Sequence, residues 1–390
     1  MSDFMIPIAK PFLGEAEADA ARRSILSGWV TQGPEVAAFE REFAEYVGAP
    51  HACAVSSCTT ALHLALRVVG VGPDDEVVTV SHSYIATANA VRYCGAVPVF
   101  IDVDPATFNI DPRLVAQAVS PRTRAILAVH QLGMPCDLAA LAAIASEHRL
   151  ALIEDAACAI GSEILWENQW EKIGRPRGDV ACFSFHPRKV VTTGDGGMLT
   201  TARPAWDAQF RLLRQHGMSV PDTVRHGSPT VIFENYPVVG FNYRMTDIQA
   251  AVGREQLKRL PEMLARRRAL ARRYHALLAD KLGVQPPCEP SWCRSNWQSY
   301  AVRLPSGCGQ RRVMQFLLDN GIVTRRGVMC SHREAAYRLP GKTAAAFLSL
   351  KHSEDAQDNS VLLPLFYEMT EEQQDRVVDT LGRALALERP

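Results

Sequence analysis

The sequence lacks a surplus of charge of either sign, because 42 basic residues balance 42 acidic ones. Without a basic surplus, the chain has no general electrostatic attraction to nucleic acid or to an anionic membrane, and we expect neither partner. The longest apolar runs have the length of a strand and could not cross a bilayer. The first residues also lack the basic and then apolar pattern of a secretory signal. These absences predict a cytoplasmic protein.

Regular cysteine spacing is also missing. The ten cysteines form no CxxC pair and no zinc-ligand pattern with histidine, so we expect no metal site. Reduced cysteines that pack as small apolar side chains are the expected state. Apolar content, by contrast, is ample, with 47% hydrophobic against 22% charged residues. Over 390 residues, this composition is enough for one large domain or, more readily, a large and a small one.

Short apolar runs alternate with helical segments from about Glu76 onward. Five of these runs are predicted to be buried strands: 76–80, 97–103, 125–129, 150–154 and 180–184. Stretches with helical spacing, such as 137–148, separate them. Strands that are apolar on both faces and alternate with helices predict an α/β fold with a mostly parallel sheet. Ligands collect at the carboxyl ends of such strands, where Asp155 and Ser184 are expected to lie.

After about residue 242 the sequence is dominated by helical patterns. Helices are predicted over 246–260 and 263–282, with an interruption at Pro261, because proline lacks an N–H donor and disfavours helix just before it. The arginines at 266–268 and 272–273 are predicted to form a solvated face.

The loop 286–297 is rich in proline, cysteine and tryptophan. We interpret it as the hinge into a smaller α+β domain. The chain is therefore divided into a large cofactor-binding domain, 1–250, and a smaller C-terminal domain, 251–390, which includes the linking helix.

A lysine lies between a predicted strand end and a glycine-rich turn. Lys189 follows Pro187 and Arg188, and the glycines at 194–197 come shortly after it. Desolvation in a dry pocket would lower the pKa of this lysine, and the neutral amine could form a Schiff base with an aldehyde. Ser184 could give its hydroxyl to a phosphate. A lysine in such a loop is more often solvated, so both interpretations stay open.

Three further motifs each have a functional and a structural interpretation. Asp155 could pair with a protonated pyridine nitrogen or could cap a helix. Thr59 and Thr60 open an apolar helix, whose first turn could bind phosphate or simply be capped. Tyr84 follows a strand end, where it could stack on a flat cofactor or pack in the core. Taken together with Lys189, these residues supply the groups that pyridoxal 5'-phosphate (PLP) requires.

In its motifs the chain resembles, throughout its length, the DegT/DnrJ/EryC1/StrS sugar aminotransferases, which are fold type I PLP-dependent enzymes. Besides the motifs above, the likeness is carried by the segments 6–11, 27–34, 240–247, 363–367 and 369–372. The resemblance implies an aminotransferase that moves an amino group from an amino acid, typically L-glutamate, to a keto-sugar. Its acceptor would be a nucleotide-linked deoxysugar. Arg325 and Arg326 could meet the diphosphate or could equally be a solvated basic pair.

The resemblance also implies a role for individual residues. Lys189 would bind the cofactor covalently and move the proton, Asp155 would bind the pyridinium nitrogen, and Tyr84 would stack on the ring. The phosphate would be held by Thr59, Thr60, Ser184 and Asn242. Since the last of these reaches the site of the neighbouring subunit in the family, a homodimer with shared active sites is expected, with Arg244 in support.

Two cysteines depart from the family pattern. Cys158 stands where Gln or His is common, so its contact with a cofactor oxygen would be weaker or absent. Cys58 replaces the usual glycine of the phosphate turn. Three alternatives stay open: a PLP-dependent sugar dehydratase, a cyclitol aminotransferase, and a PLP-binding regulator without catalysis. Because similar dehydratases carry histidine in place of the lysine, Lys189 favours transamination.

Overall fold

The computed structural model describes residues 5–221, 224–225, 228–279, 283–338 and 349–388. The helices of these residues, numbered α1 to α11 in chain order, cover Glu15–Ser27, Pro34–Val47, Cys58–Val68, Ala86–Tyr93, Pro112–Ala118, Leu138–His148, Pro204–Leu213, Asp247–Leu278, Gln310–Asp319, Lys351–Asn359 and Glu371–Glu388. The strands, β1 to β13, cover His51–Val55, Glu76–Val80, Val97–Ile101, Thr123–Val129, Ala151–Asp155, Glu163–Trp166, Gln169–Lys172, Val180–Ser184, Gly197–Thr201, Cys293–Arg294, Tyr300–Arg303, Arg325–Arg326 and Ser360–Leu363. Within the described ranges, no helix combines the length and the apolar character that a membrane span needs.

The larger sheet has seven strands in the order β1-β9-β8-β5-β4-β2-β3. Neighbouring strands from β3 to β8 are parallel, and β9 runs antiparallel to both β8 and β1. The five predicted strands are β2, β3, β4, β5 and β8 of this sheet. The prediction of a mostly parallel α/β fold is therefore confirmed.

Both faces of the sheet are buried, which explains why its strands are apolar without alternation. Successive residues of a strand point to opposite faces, and in β5 Leu152 and Ile153 enter two different cores. Helices α2 and α8 contribute to the first core, whereas α3, α4 and α7 contribute to the second. The carboxyl ends of the parallel strands consequently lie together at one edge, as the strand pattern predicted.

Helix α8 continues through Pro261, so the predicted interruption is wrong. Thr246 begins the helix with a capping box, in which its hydroxyl accepts the Gln249 N–H and the Gln249 side chain accepts the Thr246 N–H. A proline inside a helix costs about 3 kcal/mol. Leu260 and Met263, on either side of it, are buried, and each such side chain contributes roughly 1.5–3 kcal/mol. Tertiary packing therefore outweighs the local cost.

Of the arginines of α8 that were predicted to form a solvated face, only Arg272 is exposed. Arg267 is buried, and its guanidinium donates to the backbone carbonyls of Trp297, Gln298 and Leu365. Burial lowers the pKa of Arg267 to about 9. Arg266 and Arg268 also donate to backbone carbonyls of the C-terminal part of the chain. That part covers the face, which local sequence could not reveal.

The C-terminal part forms the α+β unit that the sequence predicted, around a three-stranded sheet in the order β11-β13-β12. Its core also contains Leu270 and Tyr274 of α8. The predicted hinge contains β10, which pairs with β6. Since Leu257 and Leu260 of the same helix belong to the core of the large sheet, α8 links the two units. The division at residues 250 and 251 stays a prediction.

Candidate active site

Asp155, the last residue of β5, is 5% exposed. Its carboxylate accepts hydrogen bonds from the Thr87 hydroxyl at 2.7 Å and from the Ala157 N–H at 3.1 Å. Burial raises the pKa of Asp155, although both donors and Lys189 work in the opposite direction. Local capping accounts only for the Ala157 bond. A carboxylate this dry is stabilised by a positive partner, and a protonated ring nitrogen has the required charge.

Lys189 lies in the turn after β8, half-buried, with its Nζ 3.0 Å from the Cys158 Sγ. Burial works to lower the pKa of Lys189, but Cys158 and Asp155 raise it more, and the net direction is upward. The predicted lowering of the pKa is therefore wrong, because the Cys158 sulfur and, after it, the Asp155 carboxylate favour the charged amine. The alternative of a freely solvated lysine is also wrong.

The start of α3 is capped, as the structural interpretation of this motif expected. The Ser57 hydroxyl accepts the Thr60 N–H at 3.2 Å, and the Thr60 hydroxyl accepts the Ser57 N–H at 3.1 Å. This capping box occupies Thr60 but leaves the first-turn N–H groups of Cys58 and Thr59 without a partner inside the helix. Anions bind at such helix starts.

Gly197 brings Ser184 next to this helix start. It is the partner of Ser184 in the β8–β9 register, and a Cβ at this position would lie 2.5 Å from the backbone of Ser57. Only glycine allows this approach. The Cys58 side chain is buried and its thiol donates to the Cys182 carbonyl, so it points into the sheet. The replacement of the usual glycine by Cys58 therefore leaves the anion site open.

Tyr84 is 64% exposed, which excludes the interpretation that it packs in the core. Its carbonyl accepts the N–H of Thr87, the residue that donates its hydroxyl to Asp155. The exposed ring and the buried carboxylate are thus connected through one turn. This placement agrees with a ring that stacks on a cofactor whose nitrogen is bound to Asp155.

Asn242 is exposed, and its amide oxygen accepts a hydrogen bond from Arg244 at 3.3 Å. The carbonyl of the intervening Tyr243 accepts the Ser56 N–H at 2.8 Å. The segment therefore lies beside the turn that begins α3. Whether Asn242 of the partner subunit completes the site stays a prediction.

Sequence reasoning missed two contacts of the site and left a third open. Thr87 was missed. It follows Tyr84 by three positions, in the first turn of α4, and a hydroxyl residue so close to a predicted site residue could have been recognised as a candidate. The contact between Cys158 and Lys189 depends on two loops that are distant in sequence and had no local signal. Arg325 and Arg326 were predicted to meet a diphosphate; burial, together with the charge of Arg188, lowers the pKa of Arg325.

Comparisons with known proteins identify relatives in both sequence and fold. The model of the DegT/DnrJ/EryC1/StrS aminotransferase family matches residues 11–382. A GDP-perosamine synthase of Caulobacter vibrioides is 39% identical, over 99% of this chain and 100% of its own length. The aminotransferase TlmJ of Streptoalloteichus hindustanus has a TM-score of 0.89 and 35% identity, covering 98% of this chain and 99% of its own. The PLP form of a putative sugar aminotransferase of Streptococcus pneumoniae has a TM-score of 0.90 and 27% identity, covering 99% and 100%.

Proposed function

Because the chain belongs to the DegT/DnrJ/EryC1/StrS aminotransferase family, whose cofactor is PLP, we propose that it transfers an amino group from L-glutamate to the keto group of a nucleotide-linked deoxysugar. The observation that carries the proposal is the contact between Lys189 and Cys158, three residues after Asp155, which brings the lysine to the carboxyl end of β5. A relative that matches over its whole length is named for a GDP-linked amino sugar, which supports a nucleotide-linked acceptor.

The donor set of the pocket fits PLP. When bound, the cofactor supplies an aldehyde and an electron-withdrawing ring. Lys189 would bind the aldehyde carbon through Nζ and later carry a proton at that atom. Asp155, held by Thr87, would keep the ring nitrogen protonated. Lys189 thus provides both a nucleophile and a base, which favours transamination over dehydration or simple cofactor binding.

The remaining predicted residues would orient the cofactor. Ser184 and Thr59 would bind its phosphate with hydroxyl and N–H groups, and Thr60 would act mainly through the cap that orders this turn. The exposed ring of Tyr84 would cover one face of the cofactor. These roles use only groups that the fold places at the carboxyl edge or at the start of α3.

The proposed reaction is tested by the visible spectrum of the PLP-loaded protein. Addition of L-glutamate alone should bleach the cofactor band, and subsequent addition of a nucleotide-linked keto-sugar should restore it. If other amino acids bleach the band and glutamate does not, the amino donor is not glutamate. Restoration by a free keto-sugar or cyclitol as readily as by the linked form would contradict the proposed acceptor.

We also propose that the protein is a cytoplasmic homodimer joined by the segment 228–242, here called the arm. The arm exposes apolar side chains: Val231 is 84%, Phe233 is 90% and Val239 is 91% exposed. Adjacent exposed apolar groups mark an interaction surface. Asn242 lies at the end of the arm, so a second copy docked there would bring this residue towards the neighbouring site. The ten free cysteines are consistent with a reducing compartment.

Charge on the arm should separate the subunits. In the double variant Phe233→Asp/Val239→Asp, two carboxylates would lose hydration at the interface, and we expect a monomer by light scattering. PLP affinity should fall as well if Asn242 of the partner subunit contributes to the site. The control is Leu387→Asp, which places a carboxylate at a 71% exposed apolar position outside the arm. A double variant that stays dimeric would rule out the arm as the interface.

Arg325 is expected to bind the diphosphate of the acceptor. Hydrogen bonds to charged groups contribute about 1.5–3 kcal/mol, so Arg325→Gln should raise the KM for the acceptor roughly ten- to hundredfold. The rate of reaction with L-glutamate alone should not change. Arg326→Gln is the matched control. Arg326 is the next residue of the same strand, so its side chain points to the opposite face, where it lies near Glu334. Equal losses in both half-reactions would contradict a role in diphosphate binding.

A further inference from the structure

The contact between Cys158 and Lys189 has chemical consequences that the proposed function does not use. Three cysteines lie in this region: Cys158 contacts Lys189, and the Cys58 thiol donates to the Cys182 carbonyl. Burial raises the pKa of Cys58 and of Cys182 well above the ordinary value, which makes both thiols unreactive. Cys158 alone of the three is partly exposed. An oxidant that enters the pocket would therefore meet the Cys158 sulfur first.

The backbone on both sides of this contact is held by one segment of the C-terminal part. The Asn296 side-chain amide donates to the carbonyls of Cys158 and Ile160, both at 2.8 Å. The Gln298 side-chain amide donates to the carbonyl of Arg188, the residue before Lys189, at 2.9 Å. The two loops are therefore fixed relative to each other. Only rotation of the flexible lysine stem is needed to bring nitrogen closer to sulfur.

We propose that Cys158 and Lys189 form an oxidative modification site, in which hydrogen peroxide produces a reversible sulfur–nitrogen bridge. Peroxide oxidises the thiol to a sulfenic acid and is itself reduced to water. The lone pair of the neutral Nζ then attacks sulfur, the S–O bond breaks, and the oxygen leaves as a second water with a proton from the amine. A thiol reductant cleaves the S–N bond, is itself oxidised to a disulfide, and returns the free Lys189 amine and Cys158 thiol.

The inference rests on the proposed function, because the cofactor decides when the bridge can form. An aldehyde cofactor occupies the Lys189 amine. Pyridoxamine phosphate carries no aldehyde and would leave that amine free to keep its contact with the Cys158 sulfur, which lies 3.0 Å from Nζ in this structure. The protein is therefore open to oxidation after the amino donor has reacted and before the acceptor arrives. Since the attacking amine must be neutral and the pKa of Lys189 is raised, the bridge should form faster as pH rises.

The test compares the full-length protein loaded with pyridoxamine phosphate and with PLP, each treated with one equivalent of hydrogen peroxide. Peptide mass mapping should find the peptides of Cys158 and Lys189 joined in the pyridoxamine form and separate in the PLP form. Dithiothreitol should separate them and restore the visible band on addition of PLP. Cys158→Ser should abolish the joined species, while Cys288→Ser, which removes an exposed thiol elsewhere, should retain it.

Circular dichroism of Cys158→Ser verifies that the variant is folded, and its PLP absorbance verifies that it binds the cofactor. Recovery of Cys158 as a sulfinic acid with Lys189 unmodified would overturn the proposal, as would equal cross-linking in both loaded forms. Pyridoxamine phosphate is added directly, so this outcome does not depend on whether L-glutamate is the donor. If the bridge forms but glutamate does not bleach the cofactor band, the proposed function is contradicted and the bridge is not.

Discussion

Replacing Lys189 with alanine is expected to abolish transamination. The variant has neither the amine that binds the cofactor aldehyde nor the base that moves the substrate proton. Proton transfer by a positioned side chain contributes roughly 10²–10⁴ to a rate, so the loss should be at least of this size. The measurement is the rate at which L-glutamate bleaches the cofactor band, together with the turnover of a nucleotide-linked keto-sugar.

Two companion variants separate the chemistry of Lys189 from its charge. Lys189→Arg keeps the positive charge beside Asp155 but offers no neutral amine, so it should be as inactive as the alanine variant. Lys258→Ala removes an exposed lysine of α8, paired with Glu255, and should leave the rate unchanged. Near-normal bleaching by Lys189→Ala would show that another group performs the proton transfer.

Asp155→Asn is expected to produce the second large loss. Asparagine retains an oxygen that can accept from Thr87, but it cannot pair with a positive ring nitrogen. Breaking a buried charge pair costs about 3–5 kcal/mol, which corresponds to a rate loss of roughly a hundredfold or more. We expect the loss in kcat. The control Asp319→Asn, at an exposed position on α9, should leave kcat unchanged. Retention of kcat in Asp155→Asn would contradict a bond between Asp155 and the cofactor.

The same variant should have the opposite effect on the stability of the cofactor-free protein. Burial raises the pKa of Asp155 above its unfolded value, so the cost of the carboxylate grows as pH rises from the unfolded pKa to the folded pKa. Asp155→Asn should therefore raise the Tm near neutral pH and lose this advantage below the unfolded pKa. The Tm gain on PLP binding should be smaller than in the original protein. Calorimetry over a range of pH, with and without PLP, measures the Tm change and the Tm gain on PLP binding.

Local sequence was sufficient for the five parallel strands of the central sheet and for the position of their carboxyl ends, but β1 and β9 were not predicted. The five predicted strands are recognisable because a strand buried on both faces is apolar at every position. Asp155 and Ser184 end two of these strands, and the strand order of a parallel sheet brings such ends together. The family motifs added Lys189, which no periodicity distinguishes from a solvated lysine.

Tertiary structure decided whatever depends on contacts between distant segments. Pro261 remains within one helix because Leu260 and Met263 pack in the core, and Arg267 is buried because carbonyls of the C-terminal part surround it. The upward shift of the Lys189 pKa likewise depends on Cys158 and Asp155, which the end of β5 and the turn after it bring to the lysine. Propensity and spacing describe only neighbours along the chain, whereas burial and charge pairing are set by neighbours in space.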